Sequence, residues 1–282
     1  MMAYIQSVLM GIIQGLTEFL PVSSSGHLVF ISSLCKILAG HELVLTGQQE
    51  VFFDIVLHVG SLVAVLIYFK DDLAKIFKET KNAIKTKDFS APEVKLPWFL
   101  FFGTVCSVLV ALPLKDFCEK LVESPAIVGA FIFITGWILF LSDVISKKLE
   151  KTDKIDMKKA VIIGIAQGFA AFPGISRSGS TISVGLLLGL DRVTSARYSF
   201  LLSILIIMGT SIFFPMIEFT PSQLAVFNWP VLLVGFVVSA IVSYFCIKYF
   251  LKFLNNHSMR CFAYYCWVMG LIMSVGFHFL LK

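Results

Sequence analysis

Several uninterrupted apolar runs, residues 197–217 and 230–247 among them, approach the length a helix needs to cross a hydrocarbon core. That length is about 20 residues at about 1.5 Å each. Composition decides whether such runs lie in lipid or inside a soluble core. Of the 282 residues, 57% are hydrophobic and 15% charged, and the mean hydropathy is +0.88. Soluble domains carry about 25% charged residues, so the chain reads as an all-α polytopic membrane protein. Six segments read as full spans, at roughly 51–69, 97–114, 125–142, 197–217, 230–247 and 262–280. The opening residues lack the basic region of a cleavable signal peptide and are kept as structure.

Two further segments, 3–34 and 160–190, are apolar but broken near their centres by "FLPVSSSGHL" and "FPGISRSGST". Each is expected to form two half-helices meeting at a turn. Broken backbone at membrane depth is tolerated only where it is buried in protein or lines a wet cavity. Lysine placement sets the orientation, because positively charged loops stay on the cytoplasmic side. Loop 70–96 holds seven lysines and loop 143–159 six, whereas 115–124 holds two and 218–229 has no Lys or Arg. The rich loops are expected inside and the poor ones outside. Segment 160–190 then enters and returns on the cytoplasmic side, 3–34 does so from outside, and both termini lie outside. In the alternative, 3–34 crosses once and the N-terminus is cytoplasmic.

Shifting the chain by 153 residues lays "GIIQGLTEFLPVSSSG" (11–26) on "GIAQGFAAFPGISRSG" (164–179) with eight identities in sixteen positions. Each copy is a broken hairpin followed by three spans, an odd number, so the second copy should be inverted relative to the first. One integral membrane domain, 1–282, is thus divided into repeat 1 (about 1–142), a cytoplasmic linker (143–159) and repeat 2 (about 160–282). Inverted repeats of this kind place their site at the repeat interface, with half-helix N-termini facing anions. The copies differ where chemistry would lie. Glu18 becomes Ala171, Ser24 becomes Arg177 and His27 becomes Ser180.

Ionisable residues within a membrane are functional candidates by default, and Glu18, His27 and Arg177 all fall in the broken hairpins. The turns "SSSG" (Ser23, Ser24, Ser25, Gly26) and "SRSG" (Ser176, Arg177, Ser178, Gly179) offer hydroxyls and backbone N–H groups at half-helix N-termini, where the dipole favours negative charge. Arg177 presents a planar fork suited to phosphate oxygens, and Thr181 adds a hydroxyl one turn later. The matching ligand is a phosphate or diphosphate on a membrane lipid. Ser24 or Ser25 could attack phosphorus with His27 or Glu18 as base, or the His27 imidazole could attack directly. Gln14, one turn before Glu18, can face the same cavity. It is neutral, so the pair is no dicarboxylate metal site, although Glu18 with phosphate oxygens could hold one Mg²⁺ or Ca²⁺.

Other features have blander readings. Asp54 and His58 lie one turn apart and either line the site or pair with each other. His41, His257 and His278 lie in loops or near termini and read as structural. The six cysteines show no paired spacing and read as small core residues. The net charge of +5 follows the loop lysines and indicates no nucleic-acid partner. Oligomeric state, a homodimer included, is left open.

"QGLTEFLPVSSSGHL" and "FPGISRSGSTISVGLLLGLDRVTSARYSFLLSI", with "FFDIVLHVGSLVAVLIYF" between them, closely resemble the signature regions of the bacterial undecaprenyl-diphosphatase family, the bacitracin-resistance proteins. The resemblance covers essentially the whole chain. It implies a phosphatase of the bacterial cytoplasmic membrane that cleaves undecaprenyl diphosphate to the monophosphate carrier lipid for cell-wall synthesis, with its site toward the outer face. The family's functional positions fall on Glu18, Ser24, Ser25, His27, Ser176, Arg177 and Thr181. Gln14 stands where the family often has Glu, which removes one charge from a metal site, and Ser25 where it often has Thr. The type-2 phosphatidic acid phosphatases share the SGH and SR strings. They need a histidine six residues after the arginine, and Ser183 occupies that position here. A second reading is a transporter or flippase of polyprenyl phosphate, which inverted repeats would also suit. An acid, a hydroxyl and an imidazole in one hairpin opposite Arg177 favour an enzyme.

Overall fold

The protein is described here by a computed structural model covering residues 2–39, 48–89, 91–220, 224 and 227–280. Those residues are almost entirely helical. The single bridge outside helices among them joins Thr152 to Leu190.

The first broken segment forms α1 (Met2–Thr17) and α2 (Ser24–Ala39), and the second forms α8 (Met157–Phe169) and α9 (Arg177–Leu187). At about 1.5 Å per residue, each of these half-helices falls short of a hydrocarbon core of about 30 Å. The long helices are α3 (Gln48–Tyr68), α5 (Pro92–Ala111), α7 (Pro125–Ser146), α10 (Arg192–Glu218), α11 (Trp229–Asn256) and α12 (Arg260–Leu280). They supply six stretches long and apolar enough to cross a membrane, at the six places expected from the sequence. Large apolar side chains remain exposed along them, such as Trp98, Phe213, Leu233 and Val268, as lipid-facing surfaces require.

Two expected loops contain helices instead. Residues 70–96 include α4 (Lys70–Thr86), and 115–124 include α6 (Lys115–Val122). Their charge reads as a loop in sequence, yet its placement also suits a helix. Asp71 and Asp72 lie in the first turn of α4 and Lys85 in the last, each matched to the helix dipole. Asp72 also accepts from Arg197 of α10 at 2.7 Å, and Lys75 reaches Glu93 at the start of α5 at 2.8 Å. On α6, Lys115 and Glu119 pair one turn apart. His41 lies outside the described residues.

The half-helices are gripped by long helices from the opposite half of the chain. A Cβ on Gly11 of α1 would lie 2.8 Å from the Gly235 carbonyl oxygen of α11, and one on Gly15 would lie 2.9 Å from that of Ser239. In α8, a Cβ on Gly164 would overlap the Gly103 carbonyl of α5, and one on Gly168 would lie 2.8 Å from that of Ser107. The contacted residues also match: "GFVVSAIV" (235–242) and "GTVCSVLV" (103–110) share Gly, Val, Ser and Val at the same places. Small residues let helix backbones approach closely without a side chain between them. α1 on α11 and α8 on α5 are thus packed by equivalent residues.

Candidate active site

The two interruptions are built by helix capping. After α1, the chain turns through Val22 and Ser23, with the Val22 N–H donating to the Leu20 carbonyl at 2.8 Å. Ser23 has φ +73°, a left-handed conformation uncommon for a residue with a side chain. Its Oγ accepts from Gly26 N at 3.3 Å, satisfying one free N–H at the start of α2. Ser176 does the same for α9, accepting from Gly179 N at 3.0 Å. Thr135 of α7 accepts from the Ser176 N–H at 3.1 Å and donates to the Gly174 carbonyl at 3.2 Å. Ser178 then donates to the Leu20 carbonyl at 2.9 Å, tying one turn to the other.

Where the turns meet, Glu18 becomes the hub of a buried polar cluster. Its Oε1 accepts from Arg177 Nη2 at 2.6 Å. Its Oε2 accepts from Ser24 Oγ at 2.7 Å and Gln14 Nε2 at 3.0 Å, with His58 Nε2 at 3.5 Å. Glu18 is 6% exposed and Gln14 fully buried, so the carboxylate is held by protein partners. A buried charge demands that arrangement. Ser24 is partly exposed.

The other expected residues divide sharply. Ser23, Ser176 and Gly179 form the caps, and Gly26 lets α2 approach α7, since a Cβ there would lie 2.6 Å from Ile132 Cδ1. Ser25 is exposed, with its Oγ 3.4 Å from that of Ser23. Thr181 is engaged elsewhere, donating to the Arg177 carbonyl at 2.9 Å and lying 2.6 Å from Ser199 Oγ. His27 does not join the cluster. Its Nδ1–H donates to the Ser23 carbonyl at 2.7 Å, which leaves Nε2 to accept from Tyr265 O–H at 2.7 Å, and the two rings stack. The imidazole beside Glu18 belongs to His58, whose Nδ1–H donates to the Asp54 carbonyl at 2.7 Å and so turns Nε2 toward the carboxylate. Asp54 Oδ1 is buried without a hydrogen-bond partner among the described residues, as is Gln14 Oε1. Ser199 and Tyr265 had no signal in sequence, since they reach these groups from distant spans.

A serine hydroxyl donating to a carboxylate fixed by a guanidinium is an arrangement that could pair a nucleophile with a base beside an anion-binding group.

Comparison with known proteins gives concordant results. The profile of the family described as "Bacitracin resistance protein BacA" matches residues 7–272. A protein of Carboxydothermus hydrogenoformans is 39% identical over 275 residues, covering 96% of each chain. One from Methanosphaera stadtmanae is 36% identical over 282 residues, covering 96% of this chain and 97% of its own. One from Halothermothrix orenii is 36% identical over 270 residues, covering 95% and 96%. All three relatives carry the name undecaprenyl-diphosphatase.

Proposed function

The chain belongs to the BacA family of bacitracin-resistance proteins, and from that membership we infer that it is a membrane phosphatase acting on undecaprenyl diphosphate. It removes the terminal phosphate and leaves undecaprenyl phosphate, the carrier lipid of cell-wall assembly. The observation that best supports a location for this chemistry is the bond from Ser24 to Glu18, with Arg177 on the other carboxylate oxygen.

In this reading Arg177 binds the diphosphate through donors that Glu18 does not use. Ser24 Oγ attacks the terminal phosphorus as Glu18 takes its proton. The Ser24 O–P bond forms, the anhydride P–O bond breaks, and undecaprenyl phosphate departs. Water then attacks the phosphoserine, Glu18 returns its proton to Ser24 Oγ as the Ser24 O–P bond breaks, and inorganic phosphate leaves carrying the water protons. His58 stands where it can pass protons to and from Glu18. The N-termini of α2 and α9 add backbone donors and favourable dipoles for the phosphates. Ser25 and Ser178 border the same turns, and Thr181 holds the first turn of α9 in place.

A divalent cation fits the donor chemistry. Gln14 Oε1 is a buried acceptor without a partner among the described residues, and with Glu18 it could share Mg²⁺ or Ca²⁺ with diphosphate oxygens. When bound, such an ion would supply charge neutralisation on the departing phosphate. The inverted repeat belongs to the same proposal, supported by the matched packing of Gly11 and Gly15 against α11 and of Gly164 and Gly168 against α5. So does an orientation with the site toward the outer face of the cytoplasmic membrane, supported by the lysines of 70–96 and 143–159 at the other end.

Phosphate release from undecaprenyl diphosphate by the purified protein in detergent tests the function. Wild type should release one phosphate per lipid, and Glu18→Ala and Arg177→Ala should release almost none. No release by wild type with Mg²⁺ or Ca²⁺ present would refute the activity. Full rates in both variants would refute the site.

A further inference from the structure

A second cluster of charge lies at the far end of α9, about 15 Å from Arg177 by helix length. Asp143 of α7 is completely buried. It accepts from Arg192 Nη2 of α10 at 3.0 Å and Arg260 Nε of α12 at 3.0 Å, with Lys147 Nζ at 3.6 Å. One carboxylate therefore serves three cations. Beside it opens a cavity of about 370 Å³ lined by Lys147, Lys151, Arg192, Asp191, Leu186 and Leu254, among others.

The charges around this cavity do not balance. Asp191 spends its carboxylate capping α10, with Oδ1 accepting from Thr194 N at 2.9 Å and Oδ2 from Thr194 Oγ1 at 2.6 Å. Lys151 has no carboxylate within ion-pair distance among the described residues. Although Lys151 is exposed, partial loss of water around its ammonium group, followed by the charge of Arg192, pulls its pKa below the ordinary lysine value. The Arg192 Nε is buried with no acceptor among the described residues. An anion would relieve both conditions at once. The linker is also positioned there by the fold, because Thr152 N donates to the Gly189 carbonyl and Asp191 N to the Thr152 carbonyl, each at 3.0 Å.

We propose that this cavity is a second anion site, distinct from the one at Glu18 and Arg177, that takes a phosphate group through Lys147, Lys151 and Arg192. The cations match phosphate oxygens, and the Leu186 and Leu254 walls leave room for an attached apolar or glycerol-like moiety. Inorganic phosphate and a phospholipid headgroup share that chemistry.

The full-length protein distinguishes these sources and tests the site. In one arm, native mass spectrometry in detergent counts bound phosphatidylglycerol against phosphatidylcholine. In the other, calorimetry titrates inorganic phosphate. Wild type should bind one more anion than Lys151→Glu, with the affinity of that site falling at least tenfold in the variant and about threefold in Lys147→Ala. Lys151→Glu should keep wild-type thermal stability and phosphate release. Loss of phosphatidylglycerol alone identifies a lipid headgroup, and loss of inorganic phosphate alone identifies the free ion. Equal binding by wild type and Lys151→Glu in both arms, or binding by neither protein, would overturn the proposal.

Discussion

Arg177 and Glu18 are separated by 159 positions in the chain, yet their side chains meet at 2.6 Å. Neither hairpin contains the site alone. The carboxylate, its hydroxyl donor and its amide donor come from the first hairpin, and the guanidinium comes from the second.

Because both partners are largely buried, removing one leaves an uncompensated charge. Arg177→Met and Glu18→Gln should each lower stability, Arg177→Met by about 3–5 kcal/mol, and the double variant should recover much of that loss. Thermal unfolding in detergent reads the cycle. Additive losses would show that the pair is not energetically coupled.

The Ser24 bond to Glu18 sets a different expectation. Ser24→Ala should lower kcat about a thousandfold, while Ser25→Ala should stay within about tenfold of wild type. Rapid acid quenching of wild type with labelled diphosphate should trap label on serine. Label on histidine would shift the nucleophile to an imidazole.

The two histidines should behave differently. His58→Gln should lower kcat about a hundredfold and change the shape of the pH–rate profile, with stability close to wild type. His27→Phe should keep that profile's shape and lower stability by about 1–2 kcal/mol, because Ser23 and Tyr265 lose a buried partner. If His27→Phe alters the pH profile and His58→Gln does not, the roles are reversed.

Gly164 and Gly276 provide a packing contrast. A Cβ on Gly164 has no space against α5, whereas one on Gly276 of α12 meets nothing within 4 Å among the described residues. Gly164→Ala should cost about 1–3 kcal/mol, and Gly276→Ala should be neutral or stabilising by up to about 1 kcal/mol. Unfolding temperatures of the two variants make the comparison.

The clustering of Glu18, Ser24 and Arg177 was legible in the sequence because a polar group in an apolar run stands out, and because the hairpins repeat. His27 was harder to place. It stands three residues after Ser24 on the same helix, but its ring is captured by the carbonyl four residues back and by a tyrosine from the last span. His58 left two readings open, since spacing alone does not tell whether a histidine bonds a side chain or the backbone of its neighbour one turn away. It bonds the Asp54 backbone, which frees its other nitrogen for Glu18. The matched segments 103–110 and 235–242 went unseen at an offset of 153 residues because theirs is 132. Helix α4 was obscured because its lysines set the topology and drew the segment toward a loop reading.

The grip of α11 on α1 bears on biogenesis. During synthesis the first half-helix emerges long before residues 229–256 exist, so its glycine face at Gly11 and Gly15 must wait in the translocon or in lipid without its final neighbour. Glu18 likewise waits for Arg177, its carboxylate without a guanidinium partner in an unfinished assembly. A nascent chain should therefore be inert until its second half arrives, and a truncated one should be recognised by membrane proteases through the same unfilled surfaces. Separately expressed halves, by contrast, should find one another in the bilayer, because each carries the groove that the other's broken helix fits.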